Sequence, residues 1–218
     1  MGRYRDLKDL NNALYTSPNQ DFKDFKWVDT YESKGLLASV YKQGDEFILA
    51  IKGTDVLKRT MIIDIRNDIA IYYKHLPEQS FCLETYYSKI KDKYPISLIT
   101  GYSLGGSLAQ ILSGRHGIEA ITFCSVGTKG LCKDDSRITN FGNLLDIFYT
   151  SSLARQVGKI MIMRATLEQQ YYSTKIPSFN NHMYSRYGNP DIAVPLDYSK
   201  LKRNINHYLQ DSMIHRLG

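Results

Sequence analysis

The stretch LITGYSLGGSLAQIL, residues 98–112, encloses one serine between glycines. Gly101 lies two residues before Ser103, Gly105 lies two residues after it, and Gly106 follows. A sharp turn from a strand into a helix can raise a serine hydroxyl above the end of a sheet if the residues at −2 and +2 are small. The N-terminus of the following helix stabilises negative charge developing at that hydroxyl. This pattern predicts that Ser103 is a nucleophile.

Glycines around a serine also occur in phosphate-binding loops and in purely structural turns. A phosphate-binding loop is excluded because the Gly-Lys-Ser or Gly-Lys-Thr ending is absent. A structural turn stays open, since a chance GxSxG occurs in about one chain of this size in fifteen. The context favours the nucleophile, because an apolar run precedes the motif and the helically spaced Leu108, Ile111 and Leu112 follow it.

A serine nucleophile needs a histidine base within hydrogen-bond reach. Where a serine nucleophile stands at such a strand-to-helix turn, the acid and then the histidine follow it in the chain, which leaves His182, His207 and His215 as candidates. His207 falls opposite the apolar face of a predicted helix, and His215 is close to the end of the chain. His182 lies in the loop-like stretch SFNNHMYSRYG. We therefore expect His182 to be the base, with His207 as the alternative.

The acid that orients the base should lie between Ser103 and His182 in the chain. The acidic residues there are Asp134, Asp135, Asp146 and Glu168. Asp146 follows the apolar segment GNLL at a predicted strand end, where α/β sheets place functional residues. It is the expected acid, and a strand-end turn or a helix cap is the alternative role.

The sequence resembles a known family at several of these positions. GYSLGGSLA is similar to the nucleophile turn of class 3 lipases and related α/β-hydrolases, and FILAIKGTD to their preceding strand and oxyanion segment. RNDIAI and AITFCSVG resemble further pieces in the same order, from about Leu36 to Tyr187. The chain departs from the family at Tyr102, where His is usual, and at Lys52, where Arg is usual. It also lacks a proline after TFCSVG.

The resemblance implies a catalytic triad of Ser103, Asp146 and His182. It implies an oxyanion hole formed by the backbone N–H of Leu104 and by Thr54. The implied substrates are lipid esters, either acylglycerols or phospholipids, cleaved through an acyl-enzyme without a metal or organic cofactor. A thioesterase or acyltransferase with the same triad, and a non-catalytic binding module, are the alternatives.

The elements that must position these residues alternate between strands and helices. Leu7, Leu10 and Leu14 predict a helix, and the segment from TSPNQ to about Lys34 is typical of a polar loop. LLASVYK and EFILAIKG predict a hairpin about the turn QGDE. The following elements are a helix in EQSFCLETYYSKIKDKY, strands in ISLIT, EAITFCSV, RITNFGNLLDIFYT and GKIMIM, and a C-terminal amphipathic helix in YSKLKRNINHYLQDSMIHRL.

Apolar strands between helices favour a parallel sheet with both faces covered. We therefore expect one α/β-hydrolase-like domain over residues 1–218, with a mostly parallel central sheet and helices on both faces. Residues 56–76 could contain a lid over the site, although their Ile and Met residues favour an ordinary core helix.

Composition limits the partners and the compartment. The net charge is +6, but the basic residues are scattered, so we expect no nucleic-acid binding and allow peripheral contact with an anionic membrane surface. The odd number of cysteines, three without CxxC spacing, favours a reducing compartment. The start of the sequence has no apolar signal segment and no run is long enough to span a bilayer, so we expect a cytoplasmic protein, with delivery to another cell or compartment left open as the alternative. The oligomeric state is left open.

Overall fold

The computed structural model describes residues 2–53, 75–144, 146–164 and 189–196, and these form one eight-stranded sheet with helices. The strands are β1 (Lys26–Ser33), β2 (Leu36–Gln43), β3 (Glu46–Ile51), β4 (Ile96–Tyr102), β5 (Glu119–Phe123), β6 (Ile138–Gly142), β7 (Lys159–Arg164) and β8 (Asn189–Pro195). The helices are α1 (Arg3–Ala13), α2 (Glu78–Ile90), α3 (Leu104–His116) and the short α4 (Ile147–Ser151), which a 3₁₀ turn (Leu153–Arg155) follows.

The eight strands lie in the sheet in the same order as in the chain. The five strands from β3 to β7 are parallel to one another, whereas β1, β2 and β8 pair antiparallel at the two edges. Since parallel strands end at one common edge, the residues that follow β3, β4 and β6 are brought to the same side of the sheet.

Helices cover both faces of the sheet. On β3, Leu49 and Ile51 pack in one cluster with α2 and α3, while Ile48 and Ala50 pack in a second cluster with α1. This two-residue alternation is what a strand buried on both faces requires. The predicted α/β fold class, a mostly parallel sheet between helical layers, is therefore confirmed.

Helix α1 covers the second face with its leucine stripe. Leu7, Leu10 and Leu14 are almost completely buried, as their helical spacing predicts. The side-chain amide nitrogen of Asn11 donates to Leu7 O and, over 2.8 Å, to the hydroxyl of Thr100 on β4. This buried bond fixes α1 directly beneath the strand that leads to Ser103.

Both edge strands differ from the sequence prediction. Residues 26–33, expected within a polar loop, form β1, and the stretch that continues beyond His182 contains β8. Neither strand has the buried apolar residues of a central strand: β1 is exposed or half-buried throughout, and β8 carries Pro190 and Pro195 and exposes Ile192 and Val194. Edge strands bury little and tolerate proline, so their sequences lack the pattern of central strands.

Several predicted segments fall outside the described residues. These are the amphipathic helix that begins at Tyr198 and nearly all of the segment 56–76. Every helix within the described ranges is too short or too polar to span a bilayer.

Candidate active site

Ser103 is the single residue between β4 and α3. Its backbone has φ 56° and ψ −126°, a conformation that residues other than glycine rarely adopt. The Ser103 amide donates a 2.9 Å hydrogen bond to the carbonyl of Phe123 on β5, and the residue is 6% exposed. The turn is therefore held against the neighbouring strand, with Ser103 at the carboxyl edge of the sheet.

The glycines around Ser103 permit backbone contacts that a side chain would prevent. A Cβ on Gly101 would overlap the carbonyl of Gly105, and a Cβ on Gly105 would overlap the carbonyl of Ile51. Gly106 is less tightly enclosed, since its Cβ would lie 3.0 Å from both Gly101 O and Ser125 Cβ. Gly101 and Gly105 thus allow the first turn of α3 to touch β3 and β4.

The end of β3 lies directly beside the Ser103 turn. Ile51 is paired with Gly101, and a Cβ on Gly53 would overlap the carbonyl of Tyr102 and lie 3.2 Å from Ser103 Cβ. The chain that continues into Thr54, the predicted oxyanion residue, leaves the sheet at this point, although Thr54 itself lies outside the described residues. Leu104 is the first residue of α3, so its N–H has no acceptor within the helix.

Asp146 follows β6 at the same edge of the sheet, two strands from β4. It is fully buried, and it begins α4: its Oδ1 accepts from the amide of Tyr149 at 3.2 Å, and its carbonyl from the amide of Thr150 at 2.9 Å. The helix-cap role that the sequence left open is thus present. In this role Asp146 Oδ1 accepts a hydrogen bond from one backbone amide, which fixes the orientation of the carboxylate.

The other acidic candidates have roles in loops. Asp134 is exposed, its Oδ1 accepts from the amide of Ser136 at 2.9 Å, and hydrogen bonding to Ser136 holds the pKa of its carboxyl below the ordinary value. Asp135 is also exposed, and its Oδ2 accepts from the amide of Gly158 at 3.0 Å. Glu168 lies outside the described residues. Of these acidic candidates, Asp146 alone is buried among those that the structure describes.

The predicted base, His182, and its alternative, His207, both lie outside the described residues. His116 is placed at the last residue of α3, about 18 Å along the helix from Leu104. There its ring pairs with Glu84 and contacts the ring of Tyr87. His116 therefore has a surface role on the helix pair α2–α3, away from Ser103.

A buried hydrogen-bond network joins α3 to β6, beneath the edge that carries Ser103 and Asp146. The amide nitrogen of Gln110 donates to the hydroxyls of Thr122 at 2.9 Å and Ser125 at 2.7 Å, and both hydroxyls donate to Asn140 Oδ1. Further members are Thr128, Ser152 and Gln156. Each member is at least 93% buried, so the network fixes α3 relative to β6.

Two residues at the end and in the middle of the α1 segment carry no sequence motif. Lys8 of α1 is only 4% exposed, and its burial lowers the pKa of the ammonium group to about 8, although Asp9, Cys124 and Asp191 raise it in part. Tyr15 follows α1, and its hydroxyl lies next to Gly53. Sequence reasoning does not find either residue, because their positions depend on how α1 packs across the sheet.

Comparison with known proteins adds little to this geometry. No family model and no curated protein matches the sequence. Among solved structures, a triacylglycerol lipase from Penicillium expansum aligns with a TM-score of 0.46 and 12% sequence identity, over 75% of this chain and 80% of that one. A likeness at this level carries no argument about activity, so the functional conclusion depends on this chain's own residues.

Proposed function

We propose that this protein is a serine hydrolase that cleaves carboxylic esters of lipids, as a lipase or phospholipase A, through an acyl-enzyme on Ser103. Ser103 is the nucleophile, His182 the base and Asp146 the acid that orients the base. The backbone N–H of Leu104, together with Thr54, stabilises the oxyanion.

The proposed reaction has two halves. His182 takes the proton of Ser103 as Oγ attacks the ester carbonyl, and the tetrahedral intermediate then expels the alcohol, which receives that proton. A water molecule, deprotonated by His182, attacks the acyl-enzyme and releases the carboxylic acid. Two N–H donors stabilise the negative charge on the oxyanion in both halves of the reaction. Each such donor typically lowers the free energy of the transition state by about 3–4 kcal/mol.

One observation carries this proposal: Ser103 adopts positive φ at a one-residue turn between a parallel strand and a helix. Strain at a non-glycine residue persists only where the surrounding structure enforces it, and such residues cluster at functional sites. The enforcing contacts come from Gly101 and Gly105, which bring α3 against β3 and β4. A glycine-rich turn with only a structural role would not require a serine with positive φ at its centre.

The substrate class follows from the resemblance of the short motifs to class 3 lipases. The net charge of +6 favours an anionic lipid surface, with roughly 1 kcal/mol for each basic residue close to it. Phospholipid is therefore the preferred substrate over triacylglycerol within this proposal.

A fluorophosphonate probe tests the nucleophile. Wild-type protein should become labelled at Ser103, while Ser103→Ala should remain unlabelled with an unchanged melting temperature. Ser107→Ala is the matched control, since Ser107 lies one turn further along α3 and is completely buried. Equal labelling of wild type and Ser103→Ala would contradict the assignment of Ser103 as the nucleophile, and no labelling of either protein would favour a binding module.

A substrate panel then tests the class of ester. Short-chain esters, acyl-thioesters, triacylglycerol emulsions and anionic phospholipid liposomes should be compared on wild type and Ser103→Ala. We expect the highest Ser103-dependent rate on liposomes. Preferential cleavage of the thioesters would instead identify a thioesterase.

A further inference from the structure

The hydroxyl of Tyr15 and the side chain of Ser103 are neighbours across Gly53. A Cβ on Gly53 would lie 2.7 Å from the Tyr15 hydroxyl oxygen and 3.2 Å from Ser103 Cβ. Both groups therefore contact the same point on the backbone that leaves β3 toward the proposed oxyanion segment.

Tyr15 is held in this position by the packing of α1. It follows the buried Leu14, and its amide donates to the carbonyl of Asn12 at 3.2 Å in the turn that closes the helix. Asn11, bonded to Thr100 beneath Ser103, fixes the helix to β4. The phenol is thus presented to the site from a helix anchored on the strand that carries the nucleophile.

A cation lies over the Tyr15 ring. The ammonium nitrogen of Lys52 is 5.1 Å from the ring centroid, within the range of a cation–π interaction. A positive charge at the ring face withdraws electron density from the phenol, so its O–H becomes a stronger hydrogen-bond donor. Lys52 precedes Gly53, so the cation, the phenol and the nucleophile converge on one short segment.

We infer that Tyr15 is a further catalytic residue, whose phenol O–H donates a hydrogen bond to the substrate carbonyl oxygen as it becomes the oxyanion on Ser103. This inference rests on the proposed serine-hydrolase function and adds a side-chain donor to the two donors proposed at Leu104 and Thr54. Tyrosine hydroxyls serve as oxyanion donors when they are aimed at the position where charge develops.

Tyr15→Phe tests the donor, because it keeps the ring, its packing and its contact with Lys52 and removes only the hydroxyl. We expect kcat to fall on the order of 10²-fold with KM and the melting temperature nearly unchanged. Tyr4→Phe is the matched control: Tyr4 lies on α1, the helix that Tyr15 follows, is 40% exposed and contacts Phe141, and loss of its hydroxyl should leave kcat unchanged.

A fluorinated tyrosine placed only at position 15 separates a donor from a packing role. Its more acidic phenol should restore most of the activity lost in Tyr15→Phe. It should also move the alkaline limb of the kcat profile to lower pH, because a phenolate cannot donate. A structural hydroxyl would produce no such shift.

The experiments distinguish failure of the Tyr15 inference from failure of the proposed function. If wild type hydrolyses esters through Ser103 and Tyr15→Phe retains wild-type kcat, the inference is wrong and the proposed function stands. A fall in kcat accompanied by an equal loss of folded protein, with no pH shift in the fluorinated form, would also overturn it. If Ser103 is neither labelled nor required, both fail together.

Discussion

Gly105 lies so close to Ile51 that a methyl group on its α-carbon would overlap the Ile51 carbonyl oxygen and lie 2.8 Å from that of Lys52. This contact joins the first turn of α3 to the end of β3. It therefore determines how near the Ser103 turn comes to the segment that continues into Thr54.

Gly105→Ala should disrupt this contact and lower activity. Both crowding atoms are backbone, so α3 must shift, and forced overpacking typically costs about 1–3 kcal/mol. Gly106→Ala is the graded comparison, because its Cβ would meet its nearest neighbours at 3.0 Å and should cost less. Urea unfolding and the rate of fluorophosphonate labelling measure both effects. Equal losses in the two variants would contradict the packing argument.

Asp146→Asn should leave the fold intact and reduce kcat on the order of 10³- to 10⁴-fold. The amide oxygen of Asn can still accept from Tyr149, so the start of α4 is preserved. Asp135→Asn is the control, since Asp135 follows Ser103 in the chain but its carboxylate accepts from the amide of Gly158 in an exposed loop. Loss of activity in Asp135→Asn alone would show that the acid has been assigned to the wrong residue.

Asn140→Leu should destabilise the protein and lower kcat per folded molecule. It leaves the buried hydroxyls of Thr122 and Ser125 without their acceptor, and each unsatisfied group costs about 1–3 kcal/mol. We therefore expect a loss of at least about 2 kcal/mol in the free energy of unfolding. Thr139→Val, at the adjacent half-buried position outside the network, should change the free energy of unfolding much less.

The contribution of Lys8 to the free energy of unfolding should rise with pH between about 8 and 10.5. Burial lowers the pKa of Lys8 from 10.5 to about 8, so within this window the folded side chain is neutral while the unfolded one is still protonated. Unfolding then takes up a proton and becomes less favourable as pH rises. Below pH 8 the cost of burying the charge is fully present.

Lys8→Met should flatten this pH dependence in urea titrations at pH 7, 8, 9 and 10. Lys26→Met is the control, because the Lys26 side chain is 69% exposed. An unchanged slope in Lys8→Met would show that another group is responsible.

The central strands and helices are predictable from the sequence, because their buried faces require apolar residues at regular spacing. The hairpin β2–β3, the strands β4 to β7 and the helices α1, α2 and α3 all carry apolar residues at strand or helix spacing. The edge strands β1 and β8 are not predictable in this way, since they are largely exposed or half-buried and their pairing is decided by the neighbour they meet.

The candidate site likewise contains residues that the local sequence predicts and residues that it does not. Local sequence is enough to place Ser103 between a buried strand and a helix, because the glycines at −2 and +2 and the apolar periodicities are properties of neighbouring residues. It is also enough to nominate Asp146, as an acid directly after an apolar segment. The roles of Thr54 and His182 stay predictions.

The positions of residues that are distant from Ser103 in the chain are decided by packing between helices and strands. Tyr15 reaches the site from the N-terminal helix, and Lys8 becomes buried on that helix, because α1 crosses the sheet face beneath β4. The Gln110–Asn140 network likewise requires α3 and β6 to lie side by side. Such contacts join residues far apart in the chain, and their chemistry leaves no periodicity or short motif in the sequence from which they could be predicted.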